Sequence, residues 1–454
     1  MIKERLDELK RELYLFDGVA LVVCSVIGSG IFLVPSAVAQ KIQEPGLILL
    51  VWVVSGIIAF FGGLSYAELG SIMPFTGGQY VYLKEAYGNF LSFFYGWMLF
   101  WVMNAGSIAT LAVAFSLYSR YLFPFGIVVQ KLIAVCCVGI LTLINYRGIR
   151  FNATVQNIFA FLKIGALLGM IFFGFITHKG NFNNMYPLFP SEFSLPLLSV
   201  IGIAMVGVLW AYEGWHLVCF VSGEMKNPKR NIPLSLIVGI LIIISIYLLA
   251  NILYIYYIPI NEIANSDFVS ADATEKFAGQ IGGFFITISI LISMFGAAHS
   301  NMVSGPRVFF AMANDKLFFE KVALVHPNFK SPYVSVVIQG LWAAILTLIV
   351  GTYSGLFTFV ISASAIFYAL TVGSIFILRK KYPDVERPYK VWGYPVAPIV
   401  FIVVVTAFVI NAIVNTFMTE PKNALLLVFI ILVGFPAYFY WSRKMKNEGN
   451  ISNV

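Results

Sequence analysis

The stretch Val26-Ile27-Gly28-Ser29-Gly30-Ile31 decides how this chain is read. It falls near the middle of an apolar run over residues 17–39, where a membrane helix would be expected to continue unbroken. A second stretch, Trp210-Ala211-Tyr212-Glu213-Gly214-Trp215, interrupts the apolar run 196–222 at a similar depth, with a carboxylate beside the glycine. Each glycine costs a helix ~1 kcal/mol, and a carboxylate at the bilayer centre costs a few kcal/mol more. Such costs are tolerated where backbone lines a cavity instead of lipid. The expectation is two interrupted spans that meet at one internal site.

Around these stretches the chain is apolar throughout. Its 454 residues are 60% hydrophobic and 11% charged, with a mean hydropathy of +0.88. A soluble domain carries roughly 25% charged residues, so this inventory cannot build a water-facing surface. Runs of about 20 apolar residues cross a ~30 Å hydrocarbon core. They predict twelve spans near 17–39, 46–70, 90–119, 128–146, 153–177, 196–222, 234–257, 280–306, 333–351, 355–378, 395–415 and 424–442. Spans 1 and 6 are an odd number of crossings apart and therefore run in opposite directions. That is the arithmetic of an inverted repeat, with repeat one at about 17–177, repeat two at about 196–378, and extra helices at about 395–442. A single transmembrane domain over 17–442 follows, flanked by segments 1–16 and 443–454.

Charge sets the expected orientation. With the N-terminus in the cytoplasm, the outer loops hold only Lys41, Arg120, Lys131, Lys179, Lys276 and Lys422. Lys163 lies inside a span, and the rest of the 29 Lys and Arg lie inside. The positive-inside rule then places both termini in the cytoplasm. The net charge of +8 is a topology signal for a protein of the lipid bilayer, not a nucleic-acid footprint. Ala37-Val38-Ala39 resembles a cleavage site, but the mixed acidic and basic leader argues against a signal peptide. Residues 1–16 read either as an interfacial helix with Leu6, Leu9, Leu13 and Phe16 on one face or as a disordered tail. Cys24, Cys136, Cys137 and Cys219 fall within spans, so no disulfide framework is expected. No Cys/His spacing resembles a metal site, and no cofactor is called for.

The chemistry expected at the two breaks is binding, not catalysis. A zwitterionic amino acid leaving water needs donors for its carboxylate and acceptors for its ammonium. The amides of Gly28, Ser29 and Gly30 would face the carboxylate at a half-helix N-terminus. Freed carbonyls near Val26, Trp210, Ala211 and Glu213 would accept from the ammonium, with Ile27 and Gly214 completing the breaks. Glycine would let the ligand approach the backbone closely.

Lys163 sits in the middle of span 5, where a lysine costs ~2.5–3.5 kcal/mol. It must face the bundle interior, either as a fixed cation where a sodium-coupled relative would bridge spans 1 and 8, or as a structural lysine satisfied by carbonyls. Glu213 either lines the site or bonds a neighbouring helix, and Trp210 is either a lid or a packing aromatic. Glu68 reads as an interfacial or packing residue. His299 reads as a proton relay or a hydrogen-bonded polar core residue. No paired carboxylates or nucleophile–base arrangement appear at depth, so an enzyme is set aside.

These residues resemble the amino acid–polyamine–organocation superfamily and, within it, the L-amino acid transporter family of the bacterial type. The resemblance runs from about residue 14 to 442. It rests on Ile27-Gly28-Ser29-Gly30-Ile31-Phe32 with Pro35, Tyr66-Ala67-Glu68-Leu69-Gly70 leading to Gly77-Gly78, and Val155-Gln156 with Lys163. Ala211-Tyr212 with Gly214-Trp215, Glu224-Met225 with Asn227-Pro228, Arg307, His326-Pro327 and Arg387-Pro388 complete it.

The resemblance implies a leucine-transporter-like fold of twelve helices with discontinuous helices 1 and 6, alternating access, and sodium-independent exchange with Lys163 in place of a sodium. It implies carboxylate binding at Ser29 and Gly30, ammonium binding at the carbonyls of Val26, Trp210 and Glu213, and a gate at Trp210. Two departures stand out. Span 8 reads Gly296-Ala297-Ala298-His299-Ser300 where the family often has Gly-Ser-x-Asn-Gly, so a hydroxyl that could help hold Lys163 is absent at Ala297. Glu213 replaces a residue that is often Gly or Asp.

Animal members attach to a glycoprotein subunit through a cysteine in the outer loop after span 3. Tyr118 to Gln130 contains none, so no disulfide-linked heavy subunit is expected, and a microbial plasma membrane is the expected home. The leading expectation is an exchanger of neutral amino acids, with small ones such as alanine, serine and threonine foremost. A proton-linked carrier of cationic amino acids or amines and a non-transporting amino acid sensor are the alternatives.

Overall fold

The computed structural model describes residues 9–192, 194–349, 353–419 and 421–451. Among them the chain is helical, with no strand beyond one isolated bridge between Leu13 and Met225. Ten helices are long and apolar enough to cross a membrane, and Tyr333–Ile349 and Val396–Asn411 are shorter apolar helices. Residues 1–8, with Leu6, the expected end of span 9 at 350–351 and the tail residues 452–454 lie outside the described residues.

The first run divides into α1 (Leu15–Val26) and α2 (Gly30–Ala39). α3 (Pro45–Ile72) begins on a proline, whose missing amide costs nothing at a first helical turn. α4 (Gln79–Tyr87) and α5 (Asn89–Met98) are separated by Gly88 at φ +87, a conformation that favours glycine. A π turn at Leu99–Met103 links α5 to α6 (Asn104–Leu122). α7 (Ile127–Asn145) and α8 (Ile149–Thr177) follow.

The second interrupted run is α9 (Leu195–Ala211), three turn residues, then a 3-10 helix over Trp215–Glu224. α10 (Pro228–Tyr257), α11 (Ile260–Ala264) and α12 (Val269–Asn314) come next, with α12 kinked at Gly279 (φ +67). α13 (Tyr333–Ile349), α14 (Tyr353–Lys381), α15 (Val396–Thr419) and α16 (Pro421–Ile451) complete the chain.

Packing places the broken runs at the centre. α1 packs against α8, α10, α12 and the 3-10 segment, and α2 against α9. α3 lies along α10, and α6 along α12. The outward faces carry large apolar side chains such as Phe161 (76% exposed) on α8 and Leu143 (75%) on α7. That is the surface expected of a chain whose solvent is hydrocarbon.

One element differs from the helical expectation. Residues 9–14 are extended, not helical, because their backbone pairs elsewhere. The amides of Glu12 and Leu13 donate to Glu224 O at 2.8 and 3.0 Å, and Lys226 N–H donates to Leu13 O at 2.8 Å. Leu9 and Leu13 are therefore buried and Phe16 is exposed, rather than sharing one face. The long connection 258–279 holds α11 and the first turns of α12.

Candidate functional site

α1 ends at Ile27 (φ −72, ψ 85), and Gly28 N–H turns back onto Val26 O at 2.8 Å. This closes a tight turn, so the amide of Gly28, expected at the ligand, is spent locally. The amides that open a helix at Gly30 and Ile31 have no acceptor within the helix, as at any N-terminus. In the second run, Gly214 adopts φ +116, which admits glycine and strains other residues. The amides of Tyr212 and Glu213 fold back onto Val208 O and Trp210 O.

The two breaks touch. A Cβ on Gly30 would lie 2.6 Å from Ala211 Cα, and one on Gly214 would lie 2.8 Å from Ser25 O. These glycines let one broken helix approach the other. Ser25 Oγ lies 3.0 Å from Gly214 O across the crossing and 2.9 Å from Val22 O in its own helix, and its one proton serves one of them at a time. Behind it, Tyr247 Oη on α10 lies 3.0 Å from both Val26 O and Ala211 O. A phenol has one proton, so it can donate to only one of these carbonyls at a time.

A cavity opens in front of the crossing, with about 570 Å³ of open space including its mouth. Val26, Gly28, Ser29, Gly30, Trp210, Ala211, Glu213 and Gly214 all line it, together with Ser25. Of the residues expected to bind substrate, Ile27 lies off the wall, with its carbonyl accepting from Lys163. The remaining wall comes from the π turn and α6 (Leu99, Met103, Asn104, Ser107), from α12 (Asn301) and from α14 (Ser364, Tyr368). A π turn is a frequent feature of functional sites.

Glu213 is half-buried at the cavity wall and accepts from Tyr368 Oη at 2.6 Å, so it both lines the cavity and bonds a neighbouring helix. Tyr368 Oη is also 3.4 Å from His216 Nε2, and the buried Nδ1 of His216 has no partner among the described residues. Trp210 lines this cavity and an apolar neighbour walled by Trp215, Phe401 and Phe408.

Lys163 is 1% exposed. Its ammonium donates to Cys24 O at 3.0 Å, Ile27 O at 2.6 Å and Ser293 O at 3.0 Å, which uses all three protons. It thus ties the end of α1 to α12. Ser293 Oγ adds a bond to Ile27 O at 2.8 Å. This hydroxyl, one turn before Ala297, acts on the Ile27 carbonyl and not on Lys163 itself.

His299 is fully buried between Gln156 Oε1 (2.6 Å) and Asn152 Oδ1 (3.2 Å) on α8, which is the hydrogen-bonded core placement. Glu68, expected to be interfacial or packing, is 1% exposed. It holds the end of α14 through Arg379 at 2.9 and 2.6 Å and the following loop through Val391 N–H at 2.8 Å.

Sequence reading missed Tyr247, Ser293, Asn104, Ser107, Asn301, Ser364, His216 and Tyr368. The available signal was their polarity at mid-span depth, where unpaired polar groups are expensive.

The family model described as amino acid permease matches residues 13–442. The chain is 32% identical to the serine/threonine exchanger SteT of Bacillus subtilis (strain 168), over 96% of this chain and 98% of the relative. It is 31% identical to the large neutral amino acids transporter small subunit 2 of Mus musculus, over 96% of this chain and 83% of the relative. It is 28% identical to the b(0,+)-type amino acid transporter 1 of the same species, over 95% and 88%.

Proposed function

We propose that this chain, which belongs to the amino acid permease family, exchanges small neutral L-amino acids such as alanine, serine and threonine by alternating access, without sodium. It is a multi-pass membrane protein and an amino acid antiporter, not an enzyme. The choice of small neutral substrates is supported by the relative named for serine and threonine exchange and by the hydroxyl- and amide-bearing cavity wall.

The observation that carries the reading is the meeting of the two breaks at one cavity, with the Lys163 ammonium fixed behind them. The substrate carboxylate sits at the amides opening α2, where the helix dipole is positive. Its ammonium takes whichever of the Val26 and Ala211 carbonyls Tyr247 leaves unpaired. Lys163 holds α1 to α12 with a covalently attached charge, so no sodium needs to bind there. The wider architecture belongs to the same proposal. The ten long and two shorter apolar helices form twelve spans, 1–5 and 6–10 form an inverted repeat, and both termini are cytoplasmic. No disulfide-linked subunit is attached, in keeping with the absence of cysteine from Tyr118 to Gln130.

A second reading rests on Glu213. A carboxylate on the cavity wall whose side-chain hydrogen bond among the described residues is to a phenol would favour a cationic amino acid or amine. Counterflow in proteoliposomes separates the readings. Vesicles preloaded with alanine or serine are expected to accumulate labelled serine. Uptake driven by arginine alone would favour the cationic reading, and ligand binding without any flux would indicate a sensor.

A further inference from the structure

We infer that a second amino acid site lies at the outer end of the bundle, where a zwitterion waits between Arg120 and Asp267 before entering the central cavity. This rests on the exchange reading and its orientation, and it concerns residues that reading does not use.

A cavity of about 1110 Å³, mouth included, opens between α2, the end of α6 and the segment that precedes α12. Arg120 and Asp267 both line it, with Leu33, Leu117, Tyr121 and Phe268 supplying apolar wall. Nearby charges at this end are already engaged. Glu275 accepts from Tyr121 Oη at 2.6 Å, Lys276 pairs with Glu262 at 3.6 Å, and Asp272 accepts from Ser266 Oγ at 2.5 Å. Arg120 and Asp267 alone among these groups make no side-chain hydrogen bond or ion pair among the described residues. An unpaired cation and an unpaired anion on one cavity are the complement of a zwitterion. A guanidinium takes a carboxylate through two parallel bonds, and a carboxylate takes an ammonium.

The geometry is braced. Phe268 is wedged against Tyr118 and Tyr121, with ring centroids 5.1 and 5.3 Å away, and its amide donates to Ser266 Oγ at 3.1 Å. On the other side, Gln40 Nε2 donates to Ala264 O at 2.9 Å and ties the outer end of α2 to α11. Asp267 is thus held on a fixed rim, not on a free loop.

The cavity also stands in series with the central one. Leu33 lies three residues beyond Gly30 on α2, and Ala114 lies three beyond Leu111 on α6. Three residues of helix rise about 4.5 Å, so a ligand passes from one cavity to the next by moving one helical turn along the same two walls.

The test is initial-rate serine exchange in right-side-out and inside-out vesicles, with Arg120→Gln, Asp267→Asn, the conservative Arg120→Lys, and Lys276→Gln as a rim control. Arg120→Gln and Asp267→Asn are each expected to raise the outside KM about 3- to 10-fold with Vmax unchanged. Arg120→Lys should retain most of the affinity. The increase should shrink in ~0.5 M salt, which screens exposed charges. The inside KM and the control should not move. An unchanged outside KM in both variants overturns the inference, as does an equal rise on both sides or in the control. If wild-type vesicles exchange no amino acid, the exchange reading itself has failed. Exchange with indifferent variants removes only the outer site.

Discussion

At the residue scale the structure turns on Lys163. Hydrogen bonds to a charged group are worth about 1.5–3 kcal/mol each, so three of them offset a mid-bilayer ammonium. Removing it leaves the carbonyls of Cys24, Ile27 and Ser293 without their shared donor. Lys163→Met is expected to reduce exchange more than about 100-fold while the protein still purifies as a folded species, as read by counterflow and thermal unfolding. Tyr247→Phe should raise the substrate KM about tenfold, a shift of ~1.4 kcal/mol, because Val26 and Ala211 lose their common donor. Gly30→Ala sets a methyl against backbone at Ala211. Overpacking of this kind costs about 1–3 kcal/mol, so both exchange and thermal stability should fall.

Lys163 and the glycines were legible in the sequence because a charge or a missing side chain at mid-depth is conspicuous. Tyr247 and Ser293 were not, because aromatic and hydroxyl residues are common in membrane helices. Their partners are chosen by how α10 and α12 approach α1. The packing of Gly30 against Ala211 was not legible for a similar reason: the sequence records the missing Cβ, but not which neighbour fills the space.

At the element scale, the C-terminal end of the second broken run is fixed twice. Arg307 and Glu224, each 1% exposed at the side chain, pair at 3.0 and 3.2 Å, and Glu224 O receives the extended N-terminal segment. Breaking one partner of a buried ion pair costs about 3–5 kcal/mol, whereas replacing both costs less. Arg307→Gln is therefore expected to lower thermal stability more than the double variant with Glu224→Gln does, as measured by unfolding in detergent. The long spans were legible from apolar run length. The extended strap at 9–14 was not, because Leu9, Leu13 and Phe16 also fit a helical face. Only the backbone acceptor at Glu224, two hundred residues away, decides between the two. The π turn at Leu99–Met103 carries no sequence mark at all, since every residue in it is an ordinary apolar helix former.

At the scale of the whole molecule, the fold presents two touching breaks, a cavity before them and a tethered cation behind them. In the proposed mechanism Lys163 takes the place of a coupling sodium. Serine exchange rates in sodium and in choline media are expected to agree within about twofold, and a tenfold requirement for sodium would contradict the role given to Lys163. The composition and the charge distribution made the membrane class and the paired interruptions readable. The closeness of the two breaks was not readable, since it depends on two glycines meeting Ala211 and Ser25 in space.

The most direct measurement is the position of serine in an experimentally determined complex of this protein. The expected result is a carboxylate at the amides opening α2 and an ammonium at the Val26 or Ala211 carbonyl, with Lys163 still bonded to Ile27. Serine bound away from residues 26–30 and 211–214, or a sodium ion seated between α1 and α12, would contradict the account.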